Sequence, residues 1–338
     1  MITPKISGAS RRFLLGAVYL YGTARIKAVS CLLLFGVIFN LKDREETTMI
    51  NLKITDVREN PGDSAFLIDD GKTAIMYDSG FAFTGYKVAD RIKKELGERK
   101  LDYIFLTHSH YDHALGSCYA LKYWPDAKVV AGEYAVKIFA KPTAKSLMRD
   151  LDRKFAVKCG INEHEDLIDD LKVDISVNEG DVIEAGDMRF TVINLPGHTK
   201  CSVGFYMSEN KLLLGSETIG VFDGDKTVLP SYLVGYEMAL DSIKKVEKLD
   251  IENILVPHFG ILDREKTQLY LKNARKSAVE AKDDILGILK SGGTKEQAAE
   301  FFKEKYFNEN VRKIYPMDAM NLNTDIMVNL IEKELLNS

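Results

Sequence analysis

Four times in this chain a short apolar segment runs directly into a histidine or an acid. Tyr103-Ile104-Phe105-Leu106 leads through Thr107 into His108, Ser109, His110, Tyr111, Asp112 and His113. Phe190-Thr191-Val192-Ile193-Asn194-Leu195 leads into Pro196-Gly197-His198, Leu212-Leu213-Leu214-Gly215-Ser216 into Glu217, and Ile254-Leu255-Val256-Pro257 into His258. Short apolar runs bounded by turn residues read as buried strands. Strands that pack into one core bring their C-terminal ends to a common edge, where side chains distant in sequence converge. Five of the six histidines stand at such ends. Imidazole together with carboxylate suits zinc, with iron or manganese as alternatives. The H-x-H spacing puts His108 and His110 on one side of an extended loop, and Asp112 and His113 follow closely enough to turn toward a second ion. The sixth, His164, lies in Asn162-Glu163-His164-Glu165-Asp166 with no strand before it, and reads as a solvated loop residue.

Strand-like and helix-like patterns alternate around these segments. Strands are expected at 52–57, 64–68 and 73–77, with Asp69-Asp70-Gly71 as a hairpin turn. An amphipathic helix covers 86–96 and stops at Gly97, and further helices follow at 114–123 and 133–139. The polar, helix-prone stretch 141–171 reads as an insertion, a candidate lid. Strands resume at 172–177, 188–195, 202–206, 211–214 and 253–256, with a helix over 236–249. After Leu262 the strand pattern stops. Asp263 can cap a helix running toward Leu289, with Gly292-Gly293 as its stop. Thr294 and Gln297 have the form of a capping box opening a helix toward Phe307, and a last helix covers 318–336. The result is an α/β core of about 215 residues with an α-helical appendage. Leu271, Ala274, Ala278, Ile285 and Leu289 form an apolar stripe, so the tail must pack onto the core or onto a second copy of the chain. A homodimer through these helices is therefore one expectation.

Charge narrows the partners. The chain carries a net −4 with both signs interspersed, and no concentrated basic face of the kind that binds nucleic acid. Cys31, Cys118, Cys159 and Cys201 show no C-x-x-C spacing and read as reduced, mostly buried thiols. Residues 1–48 hold seven Lys/Arg against three Asp/Glu, a net +4, which leaves residues 49–338 with 39 against 47, a net −8. The apolar runs 13–21 and 28–39 each fall short of the ~20 residues of a spanning helix. Arg11-Arg12 before Phe13-Leu14-Leu15 resembles a twin-arginine signal, but no A-x-A cleavage site follows. A signal or membrane anchor, an appended helix, and an extension upstream of a natural start at Met49 are the three readings. The third is preferred, because Met49 directly precedes the first strand-like segment. The expected division is an N-terminal extension 1–48, a catalytic domain 49–262 containing the insertion 141–171, and a helical region 263–338. The expected location is cytoplasmic, with export or membrane anchoring as the alternative if 1–48 acts as a signal or anchor.

His108-x-His110-x-Asp112-His113 with Gly116 downstream resembles the H-x-H-x-D-H motif of the metallo-β-lactamase superfamily. Pro196-Gly197-His198-Thr199 is similar to its P-G-H-T, and Pro257-His258-Phe259-Gly260 to its terminal P-G-H-G with the first glycine absent. Tyr77-Asp78-Ser79-Gly80 resembles the family's D-T-G turn, whose aspartate supports the ligands from behind. The resemblance spans residues 52–262 and implies an αβ/βα four-layer sandwich holding two divalent metal ions. It assigns His108, His110 and His198 to the first ion and Asp112, His113 and His258 to the second. Glu217 in Ser216-Glu217-Thr218 stands where the family has a bridging aspartate. Cys201 stands where glycine is common, and reads as packing.

Two ions roughly 3.5–4 Å apart share a water and bring its pKa toward neutrality, so that a bridging hydroxide attacks the substrate. Asp112 is the candidate catalytic residue, orienting that nucleophile and receiving its proton. No G-x-S-x-G elbow is present. The G-C-G-R segment of glutathione-thioester hydrolases is replaced by Thr218-Ile219-Gly220-Val221-Phe222-Asp223, and His110 excludes the H-x-E-x-D-H of oxygen-reducing flavodiiron enzymes. The expectation is a hydrolase of small-molecule esters, thioesters or lactones. The alternatives are a phosphodiesterase, or a metal-binding regulatory protein with little turnover. Phe222, Tyr232 and Tyr236, within 219–236, are expected to line the cleft together with the insertion.

Overall fold

Alternation along the strands decides which face each side chain reaches. In the computed structural model, which describes residues 50–336, the first sheet runs in chain order. Its strands are β1 (Lys53–Asp56), β2 (Phe66–Asp69), β3 (Ala74–Tyr77), β4 (Tyr103–Leu106), β5 (Lys128–Gly132) and β6 (Ile175–Val177). The first three are antiparallel neighbours, and β3 through β6 are parallel. Phe66, Ile68, Ile75, Tyr77 and Phe105 fall on one face, while Leu67, Met76, Ile104 and Leu106 fall on the other.

After it come β7 (Val182–Ala185), β8 (Met188–Asn194), β9 (Val203–Met207), β10 (Leu212–Leu214), a small separate hairpin of β11 (Val221–Phe222) and β12 (Val228–Leu229), then β13 (Asn253–Val256) and β14 (Gly260–Leu262). The second sheet has the order β14-β13-β10-β9-β8-β7, with β10 and β13 parallel and the other pairs antiparallel. Its inner face presents Phe190, Val192, Phe205, Leu214 and Leu255 to the first sheet. Fully burying each such side chain contributes about 1.5–3 kcal/mol, so this layer holds the strand ends in register.

Helices cover both outer faces. α1 (Gly85–Leu96), α2 (Tyr111–Ala114), α3 (Ser117–Tyr123), α4 (Glu133–Phe139) and α5 (Pro142–Lys158) accompany the first sheet, and Val88, Ile92, Cys118 and Phe139 pack toward it. α6 (Tyr236–Val246) and α7 (Arg264–Lys290) cover the second through Val246, Tyr270, Leu271 and Ala274. The order helix, sheet, sheet, helix is the αβ/βα sandwich that the resemblance implied. Beyond it α8 (Lys295–Tyr306), α9 (Glu309–Ile314) and α10 (Met317–Ile331), which ends in a π-helical turn, bury Phe302, Val311, Val328 and Ile331 against α6 and the far half of α7. Asp263 Oδ1 accepts from Lys266 N at 2.9 Å, and Thr294 and Gln297 form the expected capping box.

The expected helix at 114–123 is two short helices broken at Gly116. A Cβ there would lie 1.8 Å from the Ser79 carbonyl oxygen, so only glycine lets the chain pass that close. β5, β7, β14 and the short β11–β12 hairpin have no counterpart among the expected strands. β5 is short, buried after Lys128 and lies directly before a helix, while β7 alternates exposed and buried residues but carries the apolar Val182 at an exposed position, which hides its period in the sequence. The reading of residues 1–48 falls outside the described residues. Among the described residues no helix is long and apolar enough to cross a membrane.

Candidate metal centre

The four apolar strands end on one edge, as their sequence required. His108 and His110 lie on the loop after β4, and Asp112 and His113 in the first turn of α2. His198 follows β8, Glu217 follows β10 and His258 follows β13. His108, His110, His198 and Glu217 bring one ligand-type atom each to within 4.8 Å of one another, and so do Asp112, His113 and His258. Glu217 connects the two groups. Its Oε2 lies 3.0 Å from His198 Nε2, 3.3 Å from His113 Nε2, 3.7 Å from His108 Nε2 and 3.9 Å from His258 Nε2. Asp112 Oδ2 lies 3.7 Å from His113 Nε2 and 3.8 Å from His258 Nε2.

Hydrogen bonds behind the rings fix their tautomers. His258 Nδ1 donates to the Gly62 carbonyl at 3.0 Å, His113 Nδ1 to Asp78 Oδ2 at 2.7 Å, and His198 Nδ1 to the Ser231 carbonyl at 2.9 Å. Each Nε2 therefore points into the site, where it carries a proton or offers its lone pair to a metal. His258 Nε2 and His113 Nε2 face each other at 3.1 Å, and His198 Nε2 faces His110 Nδ1 at 2.9 Å. Converging lone pairs at such distances need a cation, a proton or a metal, between them. His108 Nε2 and Glu217 Oε1 are buried without a hydrogen-bond partner among the described residues. The donor set therefore fits divalent ions.

Electrostatics follow from the same crowding. Burial, and then the neighbouring imidazoles, hold the pKa of His108 and His110 well below the ordinary histidine value. Burial also disfavours the charged form of His113, but the Asp78 and Asp112 carboxylates prevail and raise it well above that value. Burial opposes the charge of Glu217 too, and the surrounding histidines overcome it, so its carboxyl sits well below the ordinary range.

Asp78 organises the loop from below. It accepts from Thr107 N at 2.8 Å, from Ser64 Oγ at 2.9 Å and from the Thr107 hydroxyl at 3.0 Å, besides His113. It does this at φ 48, and His258 sits at φ 62, both in the left-handed region. Arg58 holds the His258 turn by donating to the carbonyls of His258 and Phe259. The carbonyls of Gly62 and Ser231 carry no sequence signal, because a backbone acceptor is the same at every residue, and no local pattern links Arg58 to a turn 200 residues away.

Several expectations need correction. His164 is not solvated: its Nε2 lies 3.0 Å from the Oδ2 of buried Asp152, with the ring half-buried. Phe222, Tyr232 and Tyr236 are buried in the core beneath the tail instead of lining the cleft. The cleft wall comes from α5 and, unexpectedly, from the tail segment from Tyr315 to Ile326. Of the three described cysteines, Cys118 and Cys201 are buried and Cys159 is exposed. Cys201 Sγ sits 3.3 Å from Ser109 Oγ and 3.2 Å from Thr199 Oγ1, within the core.

The family model for the metallo-β-lactamase superfamily matches residues 62–258, more than half of the chain. The chain belongs to that superfamily. Among curated relatives of this superfamily member, an acyl-coenzyme A thioesterase MBLAC2 of Gallus gallus is 24% identical over 47% of the chain and 57% of its own length. A hydroxyacylglutathione hydrolase GloC of Haemophilus influenzae is 23% identical over 62% of the chain and 91% of its own length. The chain spans about half the length of the first curated relatives it matches, 57%, 45% and 55%. Among solved structures, the metallo-β-lactamase family protein TTHA1429 of Thermus thermophilus superposes with a TM-score of 0.56 at 16% identity. That superposition covers 84% of the chain and 93% of the other, and it shows the shared fold.

Proposed function

We propose that this chain is a dinuclear metal-dependent hydrolase of small-molecule esters, thioesters or lactones. The observation that carries the reading is Glu217 Oε2, which reaches histidines of both groups within 3.9 Å. His108, His110 and His198 would hold one ion, Asp112, His113 and His258 the other, with Glu217 between them and zinc the favoured metal. When bound, such ions supply positive charge to a developing oxyanion and lower the pKa of water toward neutrality.

The chain's own residues do the rest. Asp112 opens on the cleft, where its carboxylate orients the attacking water and takes its proton. Water oxygen bonds to the carbonyl carbon, the acyl C–O or C–S bond breaks, and the proton passes from Asp112 to the departing alkoxide or thiolate. Thr107, Asp78 and the Gly62 and Ser231 carbonyls keep the imidazoles from reorienting during the step. The similarity to an acyl-coenzyme A thioesterase and a hydroxyacylglutathione hydrolase favours acyl transfer to water over phosphodiester cleavage.

The test is hydrolysis of p-nitrophenyl esters, acyl thioesters and lactones by metal-replete protein against His110→Ala. Wild type should exceed the variant about a thousandfold in kcat/KM, as expected when several kcal/mol of electrostatic stabilisation are lost. Equal rates for the two proteins on every substrate would overturn the reading.

A further inference from the structure

Beside the metal centre lies a cleft of about 320 Å³, near the lower end of the range for small-molecule sites. His110, Asp112 and Glu217 form its polar end. On one side α5 presents Leu147 and Leu151, and on the other α10 presents Leu322 and Ile326. Each pair is spaced i, i+4, so it shares one helix face. Leu147 is 60% exposed and Leu322 49%. Neither is needed for the core, yet both line a hollow that ends on partly buried His110 and Asp112 and on buried Glu217. Met148 and Phe155 continue the apolar lining from α5.

The charged groups around this cleft are few. Lys158 pairs with Asp318, tying α5 to α10, and both are exposed, as is Lys154. A phosphodiester would meet leucines along most of these walls. An alkyl chain would remove that surface, and its own, from water.

We propose that this cleft takes the alkyl chain of the acyl group, so that the substrate is an ester or thioester of a medium-length linear carboxylic acid. Leu147, Leu151, Leu322 and Ile326 set the chain-length preference. The proposal rests on the hydrolase reading above for the bond that is broken, but the binding it requires is separate. The carbonyl lies at the polar end beside His110, Asp112 and Glu217, where the ions these residues would hold would polarise it, the alkyl chain runs between α5 and α10, and the alcohol or thiol leaves toward solvent.

Two readouts on full-length, metal-replete protein test it. One is kcat/KM for p-nitrophenyl acetate, butyrate, hexanoate and octanoate, and the other is calorimetric Kd for the corresponding free acids. Both should improve with chain length, by up to about fourfold per methylene, the ~0.8 kcal/mol of a buried CH₂, until the cleft is filled. Leu147→Ser combined with Leu322→Ser should lower the octanoyl-over-acetyl preference about tenfold, since both sites lose apolar contact. Val182→Ser, at an exposed apolar position on β7 away from the cleft, should not. Cleavage of every ester at a rate independent of chain length would overturn the cleft proposal and leave the hydrolase reading standing. Chain-length-dependent binding without cleavage of any ester would do the reverse. A preference unchanged in the double variant would overturn the assignment of these residues.

Discussion

Two surfaces meet at the cleft, and they are built on opposite logic. The metal-centre side consists of loops that strands deliver to one edge, with buried polar groups each held by a specific partner. The opposite side consists of α5 and α10, helices contributing partly exposed leucines and few directed hydrogen bonds. The first fixes where charge is placed, which requires directional contacts. The second offers shape and apolar surface, which many side chains can supply. Substitutions on the two sides should therefore fail differently.

The largest contrast should come from Ile331→Ala in the tail. Ile331 is fully buried, so the cavity should cost about 2–4 kcal/mol in urea unfolding. Metal content at native conditions should remain that of wild type, because the side chain belongs to the helical cluster. Loss of metal together with stability would merge the two sides into one unit and break the contrast.

Asp78→Asn probes the other side. It keeps the shape but removes the charge facing His113 Nδ1 and one of the oxygens that hold Thr107 and Ser64. Metal affinity, read by competition with a chromophoric chelator, should fall about 10–100-fold. An unchanged affinity would mean that the tautomer of His113 is set elsewhere.

The smallest effect should come from Asp69→Asn, remote from both sides, where Arg99 donates to both carboxylate oxygens at 2.7 and 2.8 Å. Burial opposes ionisation of Asp69, but Arg99 outweighs it and the folded-state pKa is lowered. Its stabilisation is thus present above the unfolded value of ~3.9 and is lost as pH falls through the folded one. At neutral pH the substitution should cost about 0.5–1 kcal/mol, and the difference from wild type should vanish in acid. A difference that persists at pH 2–3 would contradict the ion-pair origin.

The same division governs what the sequence discloses. A strand followed by a histidine or an acid is a local pattern, and the hydrophobic core converts it into a shared edge, so all seven polar residues are legible in the sequence. The hairpin at Asp70-Gly71, the Asp263 cap and the Thr294 capping box are likewise local. The role of α10 is not local, because nothing near Leu322 or Ile326 indicates that they face His110 across the cleft. The burial of Phe222, Tyr232 and Tyr236 is not local for the same reason: an aromatic residue near a site in sequence is as readily taken up by the core when a later helix covers it. His164 is not legible either, because its partner, Asp152, lies on a preceding helix with no pattern linking them.

Glu217 lies between the two groups of candidate ligands, so the metal stoichiometry of its variants is the most direct measurement. Elemental analysis of metal-replete wild type should give about two ions per chain, Glu217→Asp about two, and Glu217→Gln about one, because the neutral amide no longer offsets repulsion between two cations. Wild type with no bound metal, or Glu217→Gln retaining both ions with full hydrolysis, would contradict a dinuclear centre bridged by Glu217.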